Sequence, residues 1–225
     1  MTTWRVTTAV FRKDLVAERR TKDVFTAVLL FGFAVSVAFA FAFEPTAAEA
    51  RAIAGGLLWL AFFFSALLGL NRSLVRESAN DCLRGLRLAP IDPGAIYLGK
   101  LLGNVLFLVL AELVLVPVFG VFFNLTLWAR PGWLVLILVL GTWGLASLGT
   151  MFSAVSAHTR LQELMLPLLL LPLTVPALIA AVEATSVLLN GRPMSEASLA
   201  LQALAGFDII FTALCWMLFG YVLEE

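Results

Sequence analysis

A short segment at Gly94–Lys100 comes close to a nucleotide-binding loop. Its letters, GAIYLGK, match the G-x-x-x-x-G-K pattern, but Leu101 stands where a Ser or Thr hydroxyl would hold Mg²⁺. A phosphate cradle also needs a preceding strand, whereas this segment leads straight into a hydrophobic run. We therefore interpret the match as a coincidence and Lys100 as a cation at the inner membrane surface.

Other side chains able to do chemistry are sparse. His158 is the one histidine, so a multi-histidine metal site or bis-histidine heme ligation cannot form within this chain. Cys82 and Cys215 are not positioned as a pair and belong to no heme-attachment motif, so two free thiols are expected. The sequence predicts no catalytic residue, no directly bound cofactor or metal, and no enzyme activity in this chain.

Glu112 is the one charge in the apolar stretch 101–128. It lies about twelve residues into a helix that rises ~1.5 Å per residue, which places it near the membrane midplane. An ionised group at that depth is costly and should face protein or a water-filled cavity. Two roles stay open: a cavity or gating residue, or a protonated or hydrogen-bonded packing residue.

The elements that position these residues are membrane spans. The chain is 61% hydrophobic and 13% charged, with a mean hydropathy of +0.99, whereas soluble domains are about half apolar and about a quarter charged. Its long apolar runs suit helices of about 20 residues, the length that crosses a bilayer. We predict an all-α fold of six spans, at 24–43, 52–71, 101–128, 131–159, 164–182 and 204–223.

Lys and Arg are distributed unevenly over the loops of this six-span pattern. Twelve of the fifteen fall before the first span, in the segment 72–100 or after the fourth span, and three fall on the opposite side. By the positive-inside rule, both termini are expected in the cytoplasm. The first apolar run is too long and too far along the chain for a cleavable signal peptide.

Residues 1–23 are predicted to form a cytoplasmic amphipathic helix ahead of the permease domain, residues 24–225. At 100° per residue Trp4, Phe11 and Leu15 share one side, and arginines lie beside them. Such a helix would lie in the membrane interface with its apolar stripe in the lipid. The alternative is that the segment is only an orientation signal.

Two further patterns concern how the spans pack. Pro167, Pro172 and Pro176 predict that span five is kinked or divides into a span and a re-entrant piece. An external segment, 183–203, carries an Asn190-Gly191 turn. Small residues at close spacing predict packing seams between helices: Gly99, Gly103, Gly141, Gly144, Ser147, Thr150 and Ser153.

The segment 72–100, which we call the coupling segment, is the one long charged stretch between two spans. Its charges of both signs alternate with leucines, which favours a short amphipathic helix that ends at the Pro90–Pro93 turn. We predict that it docks on a cytoplasmic partner; the alternative is a solvated loop at the head groups. The candidate docking residues are Arg76, Glu77, Asp81, Arg84, Arg87 and Pro90.

These features together resemble the CcmB family of heme exporter proteins, which are ABC transporter permeases of cytochrome c maturation. The resemblance covers nearly the whole chain. It depends on Phe11-Arg12-Lys13-Asp14-Leu15, on the six spans, and on the pattern from Asn71 through Leu83-Arg84-Gly85-Leu86-Arg87-Leu88-Ala89-Pro90 to Ile96-Tyr97-Leu98-Gly99-Lys100. The position of Glu112 and the stretch at 166–172 also resemble the family.

The resemblance implies a permease subunit in the bacterial cytoplasmic (inner) membrane without a nucleotide site of its own. A separate CcmA-like ATPase would bind at the N-terminal helix and the coupling segment. Further expected partners are a CcmC-like heme-handling membrane protein, a second copy in a homodimer, and the lipid bilayer, with no nucleic acid. Heme is the expected cargo, either exported directly or carried by a chaperone that ATP hydrolysis releases.

Two other functions stay open. One is an ABC-2 type permease for a different lipid-like or drug-like substrate. The other is a membrane scaffold of a biogenesis complex that transports nothing. Co-purification of a soluble ATPase would separate the permease functions from the scaffold.

Overall fold

A computed structural model describes residues 3–42, 48–79, 92–125, 127–156 and 162–224. Within those ranges the chain is built from α-helices joined by short turns, with no strand. The helices are α1 (Thr3–Thr21), α2 (Asp23–Ala42), α3 (Ala48–Ala79), α4 (Pro93–Phe122), α5 (Pro131–Ser156), α6 (Gln162–Leu189) and α7 (Ser198–Glu224). Short 3-10 turns at Leu127–Ala129 and Met194–Ala197 precede α5 and α7.

Helices α2 to α7 are each long and apolar enough to cross a membrane, so the predicted all-α fold of six spans is confirmed. Their hydrophobic residues extend all round each helix, as expected where one face meets protein and the other meets lipid. That α1 precedes these spans as a separate helix is also as predicted. The cytoplasmic location of the two termini stays a prediction.

Helices α3 and α5 form the centre of the bundle. About 70% of each span is buried, at 72% and 67%, whereas α2 and α7 are buried over only 17% and 22% of theirs. Helix α5 packs against α3, α4, α6 and α7, and large side chains such as Trp59 and Phe63 of α3 fill the space between them. The outer helices therefore offer most of the surface available to lipid.

The helices extend further into the coupling segment than the apolar runs indicated. Helix α3 continues without a break past Asn71 to Ala79, and α4 begins at Pro93. Asp92 starts α4 because its carboxylate accepts a hydrogen bond from the backbone N–H of Gly94 at 2.9 Å. Proline fits the first helical position because its missing N–H would have no partner there. Both ends of the coupling segment are thus helical.

Helix α6 is one continuous helix through Pro167, Pro172 and Pro176, so the re-entrant alternative is wrong. Each proline removes a single donor, and in lipid a break would leave many more backbone groups unsatisfied. The predicted turn follows at Asn190-Gly191, where Gly191 adopts a φ of +67°. Arg130 ties this turn to the start of α5, because its guanidinium donates to the carbonyl oxygen of Arg192 at 2.8 Å.

Candidate functional site

Helix α1 lies directly on the first turns of α4. A Cβ atom placed on Gly99 would come within 2.8 Å of both the carbonyl oxygen of Thr7 and the Cβ atom of Val10. Thr7 is buried at this contact, and its hydroxyl donates to the carbonyl oxygen of Ala95 at 3.1 Å. The predicted small-residue seam at Gly99 is therefore confirmed, and the helix that it admits is α1.

Lys100 strengthens the same contact. Its Nζ atom lies 3.4 Å from Oδ2 of Asp14 on α1, and only 2% of the lysine side chain is exposed. The sequence predicts Lys100 at the membrane surface, but the structure buries it between two helices. A buried charge needs a counter-charge, and Asp14 supplies one.

The residues of the near nucleotide-binding loop are thus used for packing. A Cβ atom on Gly94 would lie 2.1 Å from the indole Nε1 of Trp216, so this glycine admits α7 in the way that Gly99 admits α1. Lys100, the last residue of the pattern, forms an ion pair. These contacts give the G-x-x-x-x-G-K match a structural reason that involves no phosphate.

The face of α1 that packs on α4 is not the stripe of Trp4, Phe11 and Leu15. Val6, Thr7 and Val10 are buried instead, about 100° round the helix from that stripe. Trp4 is 70% exposed. The exposed face of α1 is therefore aromatic and cationic. It is formed by Trp4, Arg5, Arg12 and Arg19. Its location in the membrane interface stays a prediction.

The junction of α1 and α2 fixes the direction of α1. Lys22 adopts a φ of +57°, a left-handed conformation that is uncommon for residues other than glycine. Glu18 is buried there, and its carboxylate accepts a hydrogen bond from the backbone N–H of Phe25 at 2.9 Å. Because the start of α2 needs such an acceptor, this bond holds α1 at a defined angle.

The predicted docking residues fall on and beyond the end of α3. Arg76 and Glu77 belong to α3, although only their backbone is described. The other four lie outside the described residues: Asp81, Arg84, Arg87 and Pro90. Their role in docking therefore stays a prediction. The structure does show that the described ends of the coupling segment belong to the end of the bundle that carries α1.

Glu112 lies about two-thirds of the way along α4 and faces α5. It is 5% exposed, and Oε1 accepts a hydrogen bond from the hydroxyl of Thr142. Oε2 has no hydrogen-bond partner among the described residues. Glu112 therefore faces protein, as its depth in the span requires, and one of its two oxygens is satisfied.

A small cavity of about 10 Å³ lies beside Glu112, between α2, α3, α4 and α5. Ser65 of α3 also lines it, and the Ser65 hydroxyl likewise has no partner among the described residues. This volume is about that needed for one water molecule. The surroundings of Glu112 thus consist of four helices and a space far too small for a substrate.

The seam of small residues along α5 is a packing surface, as predicted. Gly141 admits the indole of Trp59, since a Cβ atom there would lie 2.0 Å from its ring. Further along, Thr150 accepts a hydrogen bond from the amide of Asn104 at 2.9 Å, and Ser153 donates to the carbonyl oxygen of Leu70 at 3.2 Å. Helix α5 therefore binds α3 and α4 through backbone proximity and short polar contacts.

A chain of hydrogen bonds joins α4, α5 and α7 on the other side of α5. The indole of Trp143 donates to the hydroxyl of Thr212 at 3.0 Å, and Thr212 donates to Ser147 at 3.4 Å. The Ser147 hydroxyl lies 2.8 Å from the phenol oxygen of Tyr97. All four polar side chains are thus satisfied inside the bundle.

Asp208 is an intramembrane acid that sequence reasoning missed. It lies ten residues after the start of α7, is 7% exposed, and has no hydrogen-bond partner for either carboxylate oxygen among the described residues. The predicted span 204–223 contains Asp208, but the charge-free run that indicates this span begins only at Ile209. The signal is present in the sequence, since apolar residues also precede it from Leu199.

The described residues contain no group of three His, Cys, Asp or Glu side chains that could hold a metal ion. His158 and Cys82 lie outside them, and Cys215 is a buried free thiol. The described site therefore consists of contacts between helices and of two acids within the spans, Glu112 and Asp208.

Comparison with known proteins agrees with this architecture. Residues 5–223 match the family described as "CcmB protein". Heme exporter protein B of Paracoccus denitrificans is 34% identical over 92% of this chain and 93% of its own length. The proteins of the same name from Rhodobacter capsulatus and Pseudomonas aeruginosa are 33% and 28% identical, over 78% and 86% of this chain and 80% and 86% of theirs. The chain therefore belongs to the CcmB family, whose model matches it over nearly its whole length.

Proposed function

We propose that this protein is the permease subunit of an ABC complex for cytochrome c maturation, driven by a separate CcmA-like ATPase in the cytoplasm. Membership of the CcmB family supports this, since relatives 28–34% identical carry the name heme exporter protein B. Six helices suited to crossing a membrane support a permease. The protein would act as a bacterial inner-membrane transport component, with ATP hydrolysed by the partner.

The observation that carries the proposal is the close packing of α1 on the first turns of α4, which we call the clamp. Helix α4 begins at Pro93, inside the coupling segment, and continues through Gly99 and Lys100 past Glu112. At ~1.5 Å per residue, Pro93 and Glu112 are roughly 28 Å apart on one helix. A displacement imposed beside Pro93 would therefore move α1 and the middle of the bundle together.

Docking of the ATPase would take place at this end of the bundle. The proposed surface combines the coupling segment with the exposed cationic face of α1. Its charges of both signs suit a partner groove with complementary charges, which sets register and orientation more than raw affinity. The residues assigned to it are Arg76, Glu77, Asp81, Arg84, Arg87 and Pro90.

We assign Glu112 a gating role within this mechanism. Its contact with Thr142 joins α4 to α5, while Oε2 is buried without a partner among the described residues. A buried acceptor without a partner costs about 1–3 kcal/mol, so an arrangement that supplies a donor would be favoured by that amount. Sliding of α4 along α5 would change both the hydrogen bond from Thr142 and the surroundings of Oε2, and would thereby bias the bundle between two states.

Heme enters as proposed cargo through the names of the relatives. The complex would either move heme across the membrane or use ATP to release a heme-loaded chaperone on the outer side. A CcmC-like heme-handling protein is the proposed partner, and a second copy of this chain in a homodimer is the proposed stoichiometry. Deletion of the protein should abolish holo-cytochrome c, and normal levels would count against the assignment.

Co-purification tests the docking proposal. Reversing the charges of Glu77, Asp81, Arg84 and Arg87 together should abolish association with the ATPase encoded in the same strain. The matched control reverses Glu183, Arg192 and Glu196, which lie at the opposite end of the bundle, and should leave association intact. If no ATPase associates with the wild type, or association survives the first variant, the proposal fails.

A further inference from the structure

An apolar groove of about 620 Å³ opens on the side of the bundle between α4, α5 and α7. Its walls are mostly aliphatic, and two indoles, those of Trp143 and Trp216, form part of its lining. Among the described residues that line it, Asp208 is the only one with a charged side chain. The volume falls in the range of sites that bind small organic molecules, about 300–1,000 Å³.

The carboxylate of Asp208 is built into this groove. A Cβ atom on Gly144 would lie 2.8 Å from Oδ1, so the glycine provides the space in which the carboxylate rests against α5. Both oxygens lack a partner among the described residues, although Asp208 is 93% buried. The hydroxyl one turn away, on Thr212, already bonds Trp143 and Ser147. Neither oxygen has accessible surface where the side chain rests against Gly144, so the carboxylate can accept from a ligand only after the side chain turns towards the groove.

Asp208 and Trp216 line the groove at different depths in the bundle. Asp208 lies about 15 Å along α7 from its start, near the middle of the span, and Trp216 lies about 12 Å further towards the α1 end. The intervening lining is apolar, as with Leu98 and Ala213. A ligand that fills it would therefore need one positive or hydrogen-donating group and an apolar body.

We infer that this groove binds a lipophilic organic cation that carries N–H groups. Asp208 would accept an N–H hydrogen bond and neutralise the charge, and the indole of Trp143 or Trp216 would attract a cation to its face. The inference is independent of the proposed function, since binding needs no ATPase.

Ethidium, a planar aromatic cation with two amino groups, is the probe for the experiment. The full-length protein in phosphatidylcholine nanodiscs should raise ethidium fluorescence saturably above empty nanodiscs. Asp208→Asn should weaken ethidium binding roughly tenfold or more, because the amide oxygen can still accept a hydrogen bond but the negative charge that strengthens it and neutralises the cation is lost. N-phenyl-1-naphthylamine, an apolar uncharged probe, should bind this variant within about twofold of wild type. Glu183→Gln, which removes an exposed carboxylate from another groove, is the matched control.

Ala213→Trp provides a second variant that leaves Asp208 in place. Ala213 is exposed and lines the groove, so the larger side chain should block both probes without disturbing the core. If Asp208→Asn does not fold, Ala213→Trp decides. Unchanged ethidium binding in a folded variant, or wild-type binding no better than empty nanodiscs, overturns the inference. A co-purifying protein that blocks ethidium and is released by Asp208→Asn would also overturn it.

Discussion

Lys100 of α4 and Asp14 of α1 form an ion pair in which Nζ and Oδ2 are 3.4 Å apart, with 2% and 16% of the two side chains exposed. Lys13 approaches the other oxygen of the same carboxylate at 3.5 Å, but it is 46% exposed. The Lys100 pair is therefore far better shielded from water than the Lys13 pair. The pair ties the N-terminal helix to the helix that leaves the coupling segment.

Asp14→Asn should destabilise the protein strongly. Removing one partner of a buried pair costs roughly 3–5 kcal/mol, and the partial exposure of Asp14 places the expected loss near the lower end. Thermal unfolding of the purified protein in detergent measures it. Lys13→Met, which removes the exposed cation beside the same carboxylate, should cost less than about 1 kcal/mol.

A double-mutant cycle separates the pair from its surroundings. The double variant, Lys100→Met with Asp14→Leu, should lose about 1–3 kcal/mol less stability than the sum of the two single losses. Each single variant leaves one charge of the pair without its partner, whereas the double variant removes both charges. Additive losses would show that the two residues act independently and that the clamp does not depend on the ion pair.

Gly99→Ala should loosen α1. The new methyl group would meet the Thr7 carbonyl and Val10 at 2.8 Å, and overpacking of this kind costs about 1–3 kcal/mol. Trypsin should cut the arginine-rich α1 faster in this variant, because cleavage follows local opening. Gly103→Ala is the matched control four residues along, since its nearest contact, at 3.8 Å, is ordinary. Equal cleavage rates in the two variants would contradict the close approach.

The spans could be predicted from the sequence because crossing a bilayer depends on the length and polarity of one segment alone. The family resemblance depends likewise on local letters. The turn at Asn190-Gly191 belongs to the same class. Each of these features can be predicted without knowing which other helix lies nearby. The start of α4 at Pro93, eight residues before the predicted span, was by contrast not predicted.

The contacts of the site could not be predicted in the same way, since they depend on how each helix is rotated and on its neighbour. Nothing in the letters around Gly99 says that α1 packs there rather than another span. The stripe of Trp4 and Phe11 is the natural choice for a packing face, yet Val6 and Val10 fill that role. Asp208 was missed because it directly precedes the charge-free run that starts at Ile209, although the predicted span 204–223 includes it.

Glu112→Gln should leave stability unchanged and reduce function. The amide can still accept from Thr142 and has the size of the acid, so the fold loses little. If the charge or proton of Glu112 takes part in gating, holo-cytochrome c and transport-linked ATP hydrolysis should fall at least about tenfold, the equivalent of ~1.4 kcal/mol.

Two comparisons decide between gating and packing at Glu112. Thr142→Val removes the donor but keeps the carboxylate, and should lower stability by about 1 kcal/mol. Glu112→Leu removes a buried oxygen without a partner among the described residues, and should be at least as stable as Thr142→Val while it remains inactive. Normal cytochrome maturation in Glu112→Gln would leave Glu112 a packing residue.

The orientation of the bundle can be tested with single cysteines in a background where Cys82 is Ser and Cys215 is Ala. Thr8 of α1 and Ser195 before α7 are both exposed and lie at opposite ends of the spans. Because twelve of the fifteen Lys and Arg lie on the side of α1, the positive-inside rule places Thr8 in the cytoplasm. A membrane-impermeant maleimide should therefore label Ser195→Cys in intact spheroplasts and Thr8→Cys only after lysis. The opposite pattern would reverse the topology and move the coupling segment away from the ATPase, which would refute the docking proposal.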